Sequence, residues 1–191
     1  MKPLISTEQL FADLFQYAKQ YSDQLPPVNL WNPEKSGDMD LRIDREGRWL
    51  HESSEIKKPA IVKLFSSLLK LEENTYYLVT PNEKWQIQVD IAPLYIIDAK
   101  TITREGIQAI CLSTTTDEHI LLGKDHPLIM REFNGVELPI VTVRNGLNGL
   151  ISRSVFYQLV DWGQSKSLGN GLSELILESL NCQFSLGKYR Q

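Results

Sequence analysis

Two groups of residues have the types and spacing to do chemistry. The first surrounds a glycine-rich turn. Arg144 and Arg153 bracket Gly146-Leu147-Asn148-Gly149, and Ser154 stands where an apolar-periodic stretch begins. Two guanidinium groups beside the open N–H groups of a helix start suit a phosphate or carboxylate. A small anionic ligand is therefore expected at Arg144, Arg153, Ser154 and Gly146. The plainer account is that the glycines shape a turn and the arginines pair with nearby acids. Lys57, Lys58 and Lys63 take the matching place earlier in the chain, where a solvated face is the plainer account.

The second group is Asp38, Asp40, Arg42 and Asp44, a charged strand face. Oxygen-rich clusters hold Mg²⁺ or Ca²⁺, and a metal-assisted hydrolase is the chemistry such a face would support. An EF-hand loop counted from Asp38 fails, because Ile43 stands where glycine is needed and Trp49 where glutamate is needed. Arg42 also competes for the carboxylates. A solvated face, pairing with Arg48, or turn capping by the aspartates explains the pattern more simply. No metal ligand set and no cofactor is expected.

Nucleophilic catalysis finds no support. His51, His119 and His126 are the histidines, and no G-x-S-x-G elbow occurs. Cys111 alternates with apolar neighbours and reads as core. Gly163-Gln164-Ser165-Lys166-Ser167 lacks the leading glycine of a phosphate loop and follows a helical pattern, so it reads as a linker. No catalytic residue is assigned.

The elements that position these groups are legible from periodicity. Met39, Leu41 and Ile43 alternate with Asp38, Asp40, Arg42 and Asp44, which predicts a strand with one apolar face. Asp44-Arg45-Glu46-Gly47 predicts a tight turn, with 48–51 returning antiparallel. Pro59 suits a first helical position, and Ile61, Val62, Leu64, Phe65, Leu68 and Leu69 form its buried stripe. Upstream, Ser6 and Gln9 make a capping box for a helix over 7–21, and Trp31 is expected to tuck against the core. Strands follow over 76–79 and 85–89. Ala92-Pro93 marks a boundary.

The second half predicts strands over 94–98, 101–103, 107–113, 119–122, 128–133 and 139–144. Arg104-Glu105-Gly106 echoes Arg45-Glu46-Gly47, and Asn134-Gly135 is a hairpin turn. Thr114 to Glu118 reads as a polar loop. Ser152 or Ser154 caps a helix ending near Trp162, and a short amphipathic helix is predicted over 172–180. Residues 56–65 align with 151–160, which predicts an internal repeat. The expected fold is α+β: two small roll-like domains of antiparallel hairpins, each packing a helix, with a repeated hairpin-helix motif. The expected divisions are an N-terminal helix (1–24), an N-terminal α+β domain (25–93), a C-terminal α+β domain (94–163), and a linker with a C-terminal helix (164–191).

The chain has 191 residues, 42% hydrophobic and 23% charged, with a formal net charge of -4. That charge supplies no field to attract nucleic acid or an anionic membrane surface, and neither partner is expected. Two separated cysteines fit a reducing compartment. No apolar leader or membrane-length run is read, so a cytoplasmic location is expected.

Several motifs together resemble a known family. Pro27-Val28-Asn29-Leu30-Trp31, Gly37-Asp38-Met39-Asp40-Leu41-Arg42-Ile43-Asp44, Leu78-Val79-Thr80-Pro81-Asn82-Glu83-Lys84, and Val143-Arg144 with Ile151-Ser152-Arg153-Ser154-Val155-Phe156-Tyr157-Gln158-Leu159 are similar to the proteobacterial domain-of-unknown-function family 1285. The resemblance covers 26–162. It implies a two-domain α+β protein with repeated motifs and no more than a role in ligand-linked signalling. It brings no catalytic residues. The expected function is a non-enzymatic module binding a small anionic ligand or a protein partner, with a role in signal transduction. The alternatives are the hydrolase on the Asp38, Asp40, Asp44 face and an assembly protein pairing as a homo-oligomer through its terminal helices.

Overall fold

The computed structural model describes residues 24–190, together with Gln16 and Tyr21. The N-terminal helix expected over 7–21 lies outside the described residues. Among the described residues, strand accounts for 56% and helix for 14%, with two α-helices. The chain is thus mostly β, and the expected α+β rolls are not what forms. The short apolar runs pair with one another into mixed sheets rather than each hairpin resting on a helix of its own.

The chain divides into two compact units. One holds the described residues up to Arg42 with Arg48–Val89, and the other holds Ile43–Gly47 with the described residues from Asp90 onward. In the first, a 3-10 turn (Val28–Leu30) precedes β1 (Lys35–Ile43), β2 (Trp49–His51), β3 (Ser54–Glu55), α1 (Pro59–Ser67), β4 (Leu69–Glu72), β5 (Thr75–Val79) and β6 (Glu83–Val89). The sheet order is β3-β2-β1-β6-β5-β4. Contacts between β1 and β6 advance together, Lys35 with Glu83 and Gly37 beneath the Trp85 ring, so the central pair is parallel. The β1 alternation holds: Met39, Leu41 and Ile43 are buried, and Asp38, Asp40 and Arg42 are exposed. Pro59 opens α1 after an extended Lys58. Leu64 and Phe65 carry the buried stripe, with Phe65 6.1 Å from the Trp49 ring, while Ile61 and Val62 are only half-buried.

The second unit builds a sheet of the same plan. It contains β7 (Leu94–Arg104), β8 (Ile107–Thr114), β9 (His119–Leu121), β10 (Leu128–Phe133), β11 (Val136–Arg144), β12 (Leu147–Ile151) and α2 (Arg153–Trp162). The order is β10-β11-β12-β7-β8-β9, with β12 parallel to β7. Gly149 stands opposite Leu94, and a Cβ there would press within 3.1 Å of Ile96 and Val143. In both sheets three strands meander, the chain crosses over, three more meander, and the first and sixth lie side by side.

The repeat therefore resides in the strands, and the predicted hairpin-helix repeat does not hold. α1 lies in the crossover between the third and fourth strands, whereas α2 follows the sixth. Aligning 56–65 with 151–160 joins positions that are not equivalent. The turn echo does join equivalent positions, because Gly47 (φ +74) and Gly106 (φ +80) each end the first hairpin turn of their sheet.

The predicted linker and C-terminal helix are also corrected. Residues 164–190 form an antiparallel sheet of β13 (Gln164–Gly169), β14 (Leu172–Ser179) and β15 (Cys182–Arg190). Tight turns at Asn170-Gly171 and Leu180-Asn181, all at positive φ, fix its register. Ser179 ties this sheet to the six-stranded one. Its hydroxyl donates to the Leu122 carbonyl at 2.6 Å and accepts from the Ile110 N–H at 2.9 Å. Ser179→Ala strands both backbone groups in a buried place, so a loss of about 1–3 kcal/mol is expected in urea unfolding. A change below about 0.5 kcal/mol would show that the tie is dispensable. Among the described residues no helix is long and apolar enough to cross a membrane.

Candidate functional site

The four residues of the expected anion site do not converge. Arg144 ends β11 opposite Leu147, the first residue of β12, and Arg153 begins α2 beyond the far end of β12. The five residues of β12, at ~3.3 Å each, hold the two arginines roughly 15 Å apart along the strand. Arg144 is also committed. Its Nε donates to Glu118 Oε2 at 2.7 Å and its Nη2 to Oε1 at 3.4 Å. Glu118 is held in turn: its backbone N–H donates to Thr114 Oγ1 at 3.0 Å, and the Thr116 hydroxyl reaches Oε1 at 3.5 Å. Thr114 and Thr116 are buried, and the loop over 114–118 thus forms a polar seat for one ion pair.

Ser152, not Ser154, caps α2, accepting from the Val155 N–H at 3.4 Å. Ser154 is exposed, with its hydroxyl 3.2 Å from that of Ser152. Gly146 (φ +76) follows Asn145 (φ +48) in the β11–β12 turn and serves the hairpin. Arg153 is exposed and near Tyr95. Burial raises the Tyr95 hydroxyl above its ordinary range, Glu46 and Asp44 add to this, and Arg153 opposes it.

The strand face divides. Asp38, Asp40 and Arg42 are exposed, but Asp44 is buried and caps the turn, its Oδ1 accepting from the Glu46 N–H at 3.0 Å. His51 Nδ1 lies 2.8 Å from the Asp40 carbonyl oxygen. Among the described residues no group of three or more His, Cys, Asp or Glu side chains is placed to hold a metal ion. Lys57, Lys58 and Lys63 are exposed.

A different constellation occupies the outer face of β4–β6 in the first unit. There a cavity of about 610 Å³ is lined by Asn32, Lys70, Glu72, Thr75, Tyr77 and Lys84, among others. Strand alternation puts it there. Leu69 and Leu78 face the core as a cross-strand pair, so the next pair, Lys70 and Tyr77, faces outward, and Glu72 shares that side. Lys70 is only 8% exposed. It donates to the Trp31 carbonyl at 2.7 Å, to Asn32 Oδ1 at 2.9 Å and to Glu72 Oε1 at 3.0 Å, which uses all three of its N–H groups. This bond set anchors the half-buried Trp31, whose ring also meets Tyr21 edge-on at 6.0 Å. Glu72 Oε2 accepts from Lys84, and the Lys84 ammonium lies 4.9 Å from the centre of the Tyr77 ring.

The hydrogen bond from Lys84 holds the Glu72 carboxyl below its ordinary 4.5, against the opposing effect of burial and with help from Lys70. The same bond raises Lys84 above its ordinary 10.5. A lowered carboxyl stabilises the fold above its unfolded value and loses that contribution as pH falls through the folded value. A raised ammonium stabilises below its unfolded value and loses that contribution as pH rises through the folded value. The pairing is therefore fully expressed between 4.5 and 10.5. The stability gap between the wild type and Glu72→Gln should be constant across neutral pH and shrink as pH drops below 4.5. A gap that is flat down to acid unfolding would contradict this.

Sequence reasoning missed this site because Leu71-Glu72-Glu73-Asn74 reads as a loop. The available signal was the same-face pair Lys70 and Glu72, one strand removed from Lys84. Comparison with known proteins gives the chain its family. It is 38% identical to a DUF1285 family protein from Silicibacter pomeroyi DSS-3, over 90% of this chain and 93% of that one, with a TM-score of 0.77. It is 25% identical to a DUF1285 family protein from Shewanella baltica OS155, over 64% and 91% of the two chains, with a TM-score of 0.51. No curated protein matches. Residues 26–92 match the model described as "Domain of unknown function (DUF1285), N-terminal domain", and residues 93–186 match "Protein of unknown function (DUF1285), C-terminal domain". The motif resemblance thus holds through both halves, and the chain belongs to the DUF1285 family.

Proposed function

We propose that the protein is a non-enzymatic binding module that takes a small ligand in the first-unit cavity. The observation that supports this most is the Lys70–Glu72–Lys84 network on its wall. Three charged side chains are held in fixed places by one another and by the segment at Trp31 and Asn32. A volume of about 610 Å³ falls within the usual span of small-molecule sites. Pre-set polar groups in a concave wall orient a ligand without a large ordering cost. The test is thermal unfolding of the full chain against small carboxylates, phosphates, amines and neutral amides. At least one class should raise the midpoint, and Thr75→Trp, which fills the cavity, should abolish that rise. No response to any class, or a response untouched by Thr75→Trp, would remove this function.

A further inference from the structure

The unspent hydrogen-bonding capacity of the cavity is donor-rich. Lys70 has used its three N–H groups on Trp31, Asn32 and Glu72. Each Glu72 oxygen is taken by one ammonium. Lys84 has one carboxylate partner and one aromatic face, which leaves N–H groups over. Thr75 and Tyr77, each carrying a hydroxyl, line the same space. Two ammoniums share a single carboxylate, and Glu73 stands exposed at the rim.

We infer that the ligand of this cavity is a small monocarboxylate that binds Lys84 in competition with Glu72. This rests on the ligand-site reading above. A carboxylate supplies the acceptors that the spare donors lack, and a charge-assisted bond to an ammonium is the strongest one on offer. A single negative charge is favoured over two. An anion on Lys84 lies close to Glu72 and Glu73, and that repulsion scales with the ligand's charge. The Tyr77 ring gives the body of the ligand an apolar wall.

Calorimetric titration of the full chain at low salt with benzoate, benzamide, benzylamine and inorganic phosphate tests the inference. Benzoate is expected to bind at least about tenfold more tightly than neutral benzamide. Lys84→Met, which keeps the stem, should remove that preference. Glu72→Gln should tighten benzoate by about tenfold, because the competing charge is gone. A purely structural Glu72 would not give tightening. Weaker benzoate binding in Glu72→Gln overturns the competition. If phosphate or benzylamine binds better than benzoate and Thr75→Trp abolishes it, the ligand class is wrong while the cavity stands. If no probe binds, or binding ignores Thr75→Trp, both fall. Circular dichroism and the unfolding midpoint of each variant show that it is folded.

Discussion

Arg144→Met is expected to destabilise the second unit by about 3–5 kcal/mol. The guanidinium makes two hydrogen bonds to Glu118, and the two side chains are 11% and 17% exposed. Removing it leaves a carboxylate that keeps only the Thr116 hydroxyl, on a residue whose backbone N–H stays fixed to Thr114 Oγ1. The cost comes from that stranded charge more than from a lost attraction. Two further variants separate the two causes. Glu118→Gln keeps a side-chain oxygen to accept from the guanidinium and should cost less. Arg144→Met combined with Glu118→Leu should recover most of the single-variant loss, as replaced buried pairs do. Urea unfolding of the three variants decides it. An Arg144→Met loss below about 1 kcal/mol would put the pair in the class of surface bridges.

Lys70→Met carries the second large effect, a loss of about 2–4 kcal/mol. Methionine fills the same stem volume, so no cavity forms and only the hydrogen bonds go. The Trp31 carbonyl and Asn32 Oδ1 lose their donor, and Glu72 keeps Lys84 alone. Hydrogen exchange should accelerate around 28–33 while the β10–β12 amides stay protected. Lys70→Arg should not restore the wild type, because a planar fork cannot reach three acceptors set around a point charge. Unchanged exchange at 28–33 in Lys70→Met would separate that segment from the network.

Local patterns in the sequence were dependable where one face is buried. Met39, Leu41 and Ile43 alternate as expected, Asp44 to Gly47 turns, and Pro59 and Ser152 open their helices. The fold class was not legible, because sheet membership depends on which runs pair, and periodicity is blind to partners. β14 shows the difficulty. Leu175-Ile176-Leu177 is a short apolar run flanked by helix-forming leucines and glutamates, a pattern that fits a helix or a buried strand. The deciding signals were Asn170-Gly171 and Asn181, which make hairpin turns. Site chemistry was harder still. Arg144 and Arg153 are close in sequence, yet β12 separates them. Lys70, Glu72 and Lys84 straddle two turns, yet alternation brings them to one wall.

The side-by-side placement of first and sixth strands bears on how this chain is made. Hairpins such as β7–β8 join neighbours in sequence and close cheaply, whereas Leu94 meets Gly149 only when nearly the whole six-stranded sheet is present. High-separation pairing of this kind puts folding on the millisecond-to-second side. During synthesis, β7 to β9 emerge with the inner edge of β7 unpaired until β12 follows. For that interval an edge that is interior in the finished sheet is open to strands of other chains. The late arrival of one five-residue strand thus sets both when the six-stranded sheet becomes cooperative and when the exposure of that edge to aggregation ends.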